Sequence, residues 1–143
     1  MSAVREAMLS DPPTLGVSES AQEAGKALAR PEVRAVFVCD SERFVGVVTR
    51  KTLVREVVAT GRDPRTTPVG EIAETPHWTI EASMAVEDAF RFMEEKDAER
   101  VPVVEGDRLV GVLSRSVLQR RLAEDEPPRD VGRAGLQNGV DSP

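Results

Sequence analysis

Two periodicities alternate along this chain, and the alternation runs through twice. Apolar residues at 21, 24 and 28 share one face of a helix predicted near 19–30, with Ser20 and Glu23 placed as a capping box. Residues 86, 89, 90 and 93 do the same for a helix near 84–96. The pattern then changes to that of strands. Val33–Cys39 and Val101–Val104 are rich in β-branched residues and end at polar turns, Asp40-Ser41-Glu42 and Glu105-Gly106-Asp107. Beyond each turn lies a second apolar run carrying one glycine. These runs are Arg43-Phe44-Val45-Gly46-Val47-Val48-Thr49-Arg50 and Arg108-Leu109-Val110-Gly111-Val112-Leu113-Ser114-Arg115, so each half contains a hairpin. Helices near 50–60 and 115–123 follow. Short helical turns over 3–9 and 69–73, and extended pieces around Thr14-Leu15 and Trp78-Thr79-Ile80, lead in.

This order is a duplication. Residues 4–55 align with 69–120 without a gap, with 14 identical positions where average residue usage gives roughly 3 or 4. The identities are densest at Arg43/Arg108, Val45/Val110, Gly46/Gly111, Val47/Val112 and Arg50/Arg115. Each copy reads as strand, helix, strand, strand, helix. That predicts an α+β unit, a small three-stranded sheet with two helices on one side. A unit of about 55 residues buries little core alone, so the copies are expected to pack together with pseudo-two-fold symmetry. The expected limits are 1–60 for the first repeat, 61–68 for a linker bearing Gly61, Pro64 and Pro68, and 69–123 for the second. Residues 124–143 form an acidic tail whose composition predicts disorder.

Composition narrows the function. With 40% apolar residues in 143, the chain can build a real core. A net charge of −6 argues against nucleic acid as a partner, because neutralising phosphates needs a basic face. Four Phe, one Trp and no Tyr leave little for base-stacking platforms. No run approaches the roughly 20 apolar residues that span a bilayer, and Met1–Glu6 lacks a signal-peptide core; a cytoplasmic protein is expected. Cys39 is the single cysteine and reads as a small buried residue. His77 is the single histidine, without a second histidine or cysteine nearby, so no metal site is expected. Paired carboxylates and nucleophile–histidine pairs at suggestive spacing are absent, which argues against an enzyme.

The duplicated pattern resembles the cystathionine-β-synthase (CBS) domain pair, or Bateman module. The resemblance rests on Val4-Arg5-Glu6-Ala7-Met8, and on Val36-Phe37-Val38 and Val101-Pro102-Val103 in the first hairpin strands. It rests also on Gly46-Val47-Val48-Thr49, Gly111-Val112-Leu113-Ser114 and the helix after each, and it spans residues 3–123. It implies a stand-alone, non-catalytic regulatory module that forms a homodimer and modulates a partner protein. It also implies AMP, ADP, ATP or S-adenosylmethionine as a regulatory ligand in the cleft between repeats. A scaffold that keeps fold and dimer without a ligand is the competing reading.

The candidate ligand residues sit where strand turns into helix. Thr49 and Ser114 can cap the following helix, with or without touching a ligand; free N–H groups there suit a phosphate, and Arg50 and Arg115 either stay solvated or add charge-assisted hydrogen bonds to it. By resemblance, Thr14, Thr79 and the backbone at Ala35, Val36, Arg100 and Val101 complete the pocket, the backbone reading an adenine edge. Nucleotide-binding members of the family place an aspartate three residues after the Thr or Ser, to hold the ribose hydroxyls. Here those positions are Thr52, which offers one hydroxyl, and Val117, which offers none. Trp78 reads either as packing or dimer contact, or as a surface on which a base stacks.

Overall fold

The computed structural model describes residues 2–125, so the expected tail lies outside the described residues beyond Asp125. The first half comprises α1 (Val4–Ala7), β1 (Leu9–Ser10), β2 (Thr14–Gly16), α2 (Ala21–Leu28), β3 (Val36–Asp40), β4 (Arg43–Val48) and α3 (Arg50–Leu53). The second comprises α4 (Val69–Ile72), β5 (Ile80–Glu81), α5 (Val86–Glu95), β6 (Arg100–Glu105), β7 (Arg108–Ser114) and α6 (Arg115–Asp125). In each half the hairpin is antiparallel and the short leading strand joins it in parallel, giving the orders β2-β3-β4 and β7-β6-β5. The expected three-stranded sheets are therefore present. One backbone pair, Arg43 opposite Arg108, joins them edge to edge into a continuous sheet.

Burial follows the predicted faces. Ala21, Ala24 and Leu28 of α2 pack with Val36, Val38 and Val48 in one cluster. Val86, Ala89 and Met93 of α5 pack with Val101, Val103 and Leu113 in the other. Ser20 caps α2 by accepting the Glu23 N–H at 3.3 Å, one half of the predicted capping box. The reciprocal box forms instead at Thr49 and Thr52, which open α3.

Two features depart from the linear reading. The leading helix of each repeat serves the other repeat's core. Val4 and Ala7 are buried among Ile80, Met93 and Leu118, whereas Val69 and Ile72 are buried among Ala24, Val36 and Val48. The exchange is hydrogen-bonded at matching positions. Val4 N–H donates to Met84 O at 2.8 Å and Val86 N–H to Ser2 O at 3.0 Å. In the other half Val69 N–H donates to Glu19 O at 2.7 Å and Ala21 N–H to Thr67 O at 2.8 Å. Second, the helix predicted near 50–60 is α-helical only through Leu53. It widens into a π-helical turn over Val54–Val58, closed by Ala59 N–H to Val54 O at 2.8 Å. That turn buries Val57 and leaves Val54 and Val58 exposed.

The exchange explains the glycine of each hairpin. The chain leaving α4 crosses β4 so closely that a Cβ on Gly46 would lie 2.8 Å from Glu74 O. The chain leaving α1 crosses β7, where a Cβ on Gly111 would lie 2.7 Å from Leu9 O. Only a residue without a side chain admits the backbone. At Gly46 the crossing is locked by Val47 N–H to Glu74 O at 2.8 Å and Glu74 N–H to Val47 O at 2.9 Å.

Candidate functional site

These crossings frame a cleft of about 600 Å³ between the repeats. Its lining includes pseudo-equivalent pairs 65 residues apart: Ala35 with Arg100, Phe37 with Pro102, Val47 with Val112, Pro13 with Trp78 and Leu9 with Glu74. The cleft therefore straddles the pseudo-two-fold axis. Its chemistry is not symmetric, because Ala35, Pro13 and Leu9 face a guanidinium, an indole and a carboxylate. The asymmetry extends to the strand-to-helix turns. Thr49 and Thr52 line the cleft, whereas Ser114 and Val117 do not.

One hydrogen-bond chain runs through the first-repeat wall. Thr49 N–H donates to Thr52 Oγ1 at 3.0 Å, and Thr52 N–H donates to Thr49 Oγ1 at 3.3 Å. Thr52 Oγ1 then donates to Glu74 Oε2 at 2.9 Å, and Arg55 donates to the same carboxylate oxygen. Since a threonine hydroxyl has one proton, Thr49 is the donor in the 3.1 Å contact between the two hydroxyls. Thr52 is 0% exposed, so its hydroxyl is a structural bridge with no proton left for a ligand. Glu74 carries the chain to the surface, with 44% of its side chain exposed.

Of the residues singled out from sequence, Ala35, Thr49, Thr52, Arg100 and Val101 come together in the cleft. Val36 is buried in the first core. Thr14 donates to Pro12 O at 2.9 Å and lines a separate cavity of about 310 Å³. Thr79 is exposed outside both cavities. Neither helix-start arginine lines the cleft. Arg50 donates to Arg30 O at 2.9 Å, while Arg115 pairs with Asp97 at 3.3 Å and Glu99 at 3.1 Å. Ser114 accepts the Val117 N–H at 3.5 Å as a cap.

The cleft is instead served by arginines the strand-to-helix pattern does not point to. Arg34 and Arg100 are exposed at its rim and form no ion pair among the described residues. Trp78 lines it, meets Phe92 edge-on with ring centres 6.2 Å apart and stays 37% exposed. His77 lies beside it at 5.5 Å, and no metal-holding group of three His, Cys, Asp or Glu occurs among the described residues. Cys39 is buried, which raises its thiol pKa above the ordinary value. No helix among the described residues is long and apolar enough to cross a membrane. Sequence periodicity had no means of finding Glu74, which lies 22 residues from Thr52 and within the second repeat.

Paired three-stranded sheets, exchanged leading helices and a cleft on the pseudo-axis define a tandem-repeat α+β module. The CBS domain model matches residues 4–59 and 69–124, and the chain belongs to that family, as a pair of CBS domains. Among its relatives is hypoxic response protein 1 of Mycobacterium tuberculosis, 29% identical over 125 residues, 87% of each chain. CBS domain-containing protein YhcV of Bacillus subtilis is 29% identical over 114 residues, 80% of this chain and 81% of the relative. Of solved structures, Hypoxic Response Protein I with two coordinated zinc ions superposes with a TM-score of 0.71 at 27% identity, covering 85% of this chain and 99% of that one. CBSX2 in complex with AMP gives 0.69 at 23% identity, covering 87% and 98%.

Proposed function

We propose that this CBS pair is a cytoplasmic, homodimeric, non-catalytic regulatory module that binds an adenosine-type nucleotide in the inter-repeat cleft and alters the state of a partner protein. The observation that carries this reading is the cleft itself. It is open rather than filled by its own side chains, and its volume falls in the range of about 300–1,000 Å³ usual for small-molecule sites. It offers what such a ligand needs. Phe37, Val47 and Trp78 provide apolar and aromatic surface for a base, and the unpaired Arg34 and Arg100 provide charge-assisted donors for phosphate. S-adenosylmethionine would offer those arginines a single carboxylate, whereas AMP, ADP or ATP brings one or more phosphates and the greater negative charge. The CBS fold holds AMP in the CBSX2 structure. Self-association is supported by Val54, Val58 and Val117, which are 57%, 73% and 42% exposed around the helices that follow the two hairpins. A CBS-CP12 protein of bloom-forming cyanobacteria, 26% identical, is hexameric.

Loss of ligand binding is favoured only for the second repeat, where Ser114 and Val117 stand outside the cleft. Native mass spectrometry tests both parts of the proposal. The expected spectrum is a two-chain species that takes up one nucleotide per chain on addition of AMP, ADP or ATP. A species without adducts at millimolar nucleotide, with an unchanged melting temperature, would overturn the nucleotide reading and leave the scaffold.

A further inference from the structure

We infer that Glu74 is the residue that reads the ligand's hydroxyl groups, accepting hydrogen bonds from a vicinal diol such as a ribose through its free carboxylate oxygen. The inference rests on the nucleotide reading of the cleft and specifies how that cleft selects its occupant. Glu74 lines the cleft, and its backbone is fixed by the two-way bridge to Val47. Its Oε2 is committed to Thr52 and Arg55, while its Oε1 makes no hydrogen bond among the described residues. The hydroxyl protons of Thr52 and Thr49 are committed too, Thr52's to Glu74 and Thr49's to Thr52. This corner of the cleft therefore presents acceptors, and a complementary occupant must bring donors. Arg55 already balances the carboxylate's charge, so a neutral diol is better matched than a cation. The pseudo-equivalent position is Leu9, which has no polar side chain, so this acceptor is not repeated across the pseudo-axis.

Glu74→Gln isolates this role. Thr52 and Arg55 both donate toward Glu74, so the glutamine oxygen stays with them and its NH₂ faces the cleft, turning an acceptor into a donor. Calorimetry compares AMP with 2′-deoxy-AMP on the full chain and on E74Q. The wild type is expected to prefer AMP at least tenfold. E74Q is expected to lose that preference, weakening AMP to the level of the deoxynucleotide while the deoxynucleotide's affinity and the melting temperature hold. Wild-type binding without preference for AMP, or a preference that E74Q retains, overturns the inference and leaves the nucleotide reading standing. Failure of the wild type to bind AMP or any other adenosine nucleotide overturns both.

Discussion

At the scale of a residue, Thr52 shows how a position read as a ligand contact becomes a structural hub. Its pseudo-equivalent is Val117, so the molecule itself supplies the informative substitution. Thr52→Val keeps the volume but removes the acceptor for the Thr49 N–H and the donor to Glu74, at a site with no exposure to water. Leaving such buried groups unpaired costs roughly 1–3 kcal/mol. The expected result is a lower urea midpoint with an unchanged slope, since the surface exposed on unfolding is the same. An unmoved midpoint would mean that the network adds nothing to stability. The sequence made the hydroxyl legible and its use illegible. Residue spacing within a helix places Thr52 beside Thr49, but nothing local announces that Glu74 arrives from the other repeat to take the proton. The partners of the helix-start arginines are hidden from sequence for the related reason: Asp97, Glu99 and the Arg30 carbonyl come into reach only through the fold.

At the scale of an element, local pattern determines the hairpins closely and the helices less so. The strands of both hairpins, the polar turns between them and the caps at Thr49 and Ser114 follow from local pattern alone. The π-helical turn does not, because a helix over 50–60 and one that widens after Leu53 carry the same apolar spacing to within a residue. Pattern alone makes the glycines members of a strand, and their necessity comes from the crossing chain. Gly46→Ala puts its Cβ 2.8 Å from Glu74 O and 3.0 Å from Ala73 Cβ, atoms held by the Val47 bridge. Relieving that overlap is expected to cost about 1–3 kcal/mol of stability. It also pushes back the segment that presents Glu74, so AMP binding should weaken in the same variant. Gly111→Ala meets Leu9 O at 2.7 Å and should cost a similar amount in stability, but it displaces Leu9 rather than the acceptor, so AMP affinity should hold. Equal effects of the two substitutions on binding would count against the lopsided cleft.

At the scale of the whole molecule, the exchanged leading helices decide how the halves depend on one another. The duplication in sequence and the packing in space are offset. Residues 2–10 complete the core built by 80–122, and residues 67–75 complete the one built by 14–58. The chain order could not reveal this, because an amphipathic turn shows that a face will be buried and not which sheet will cover it. The offset also puts Glu74 on the first repeat's wall although it lies within the second repeat's sequence. Val4→Ala tests the exchange. Val4 is 0% exposed, and deleting two buried methyl groups leaves a cavity worth about 1–3 kcal/mol. If Val4 served its sequence neighbours, hydrogen exchange would quicken in β3 and β4. The packing instead predicts faster exchange in β6 and β7, more than 95 residues away along the chain, with Val69→Ala giving the mirror result in β3 and β4. Each repeat is thus finished by a segment of the other. A ligand spanning Glu74 on the first-repeat wall and Arg100 of β6 on the other would therefore fasten the two halves together at the junction where they already depend on each other.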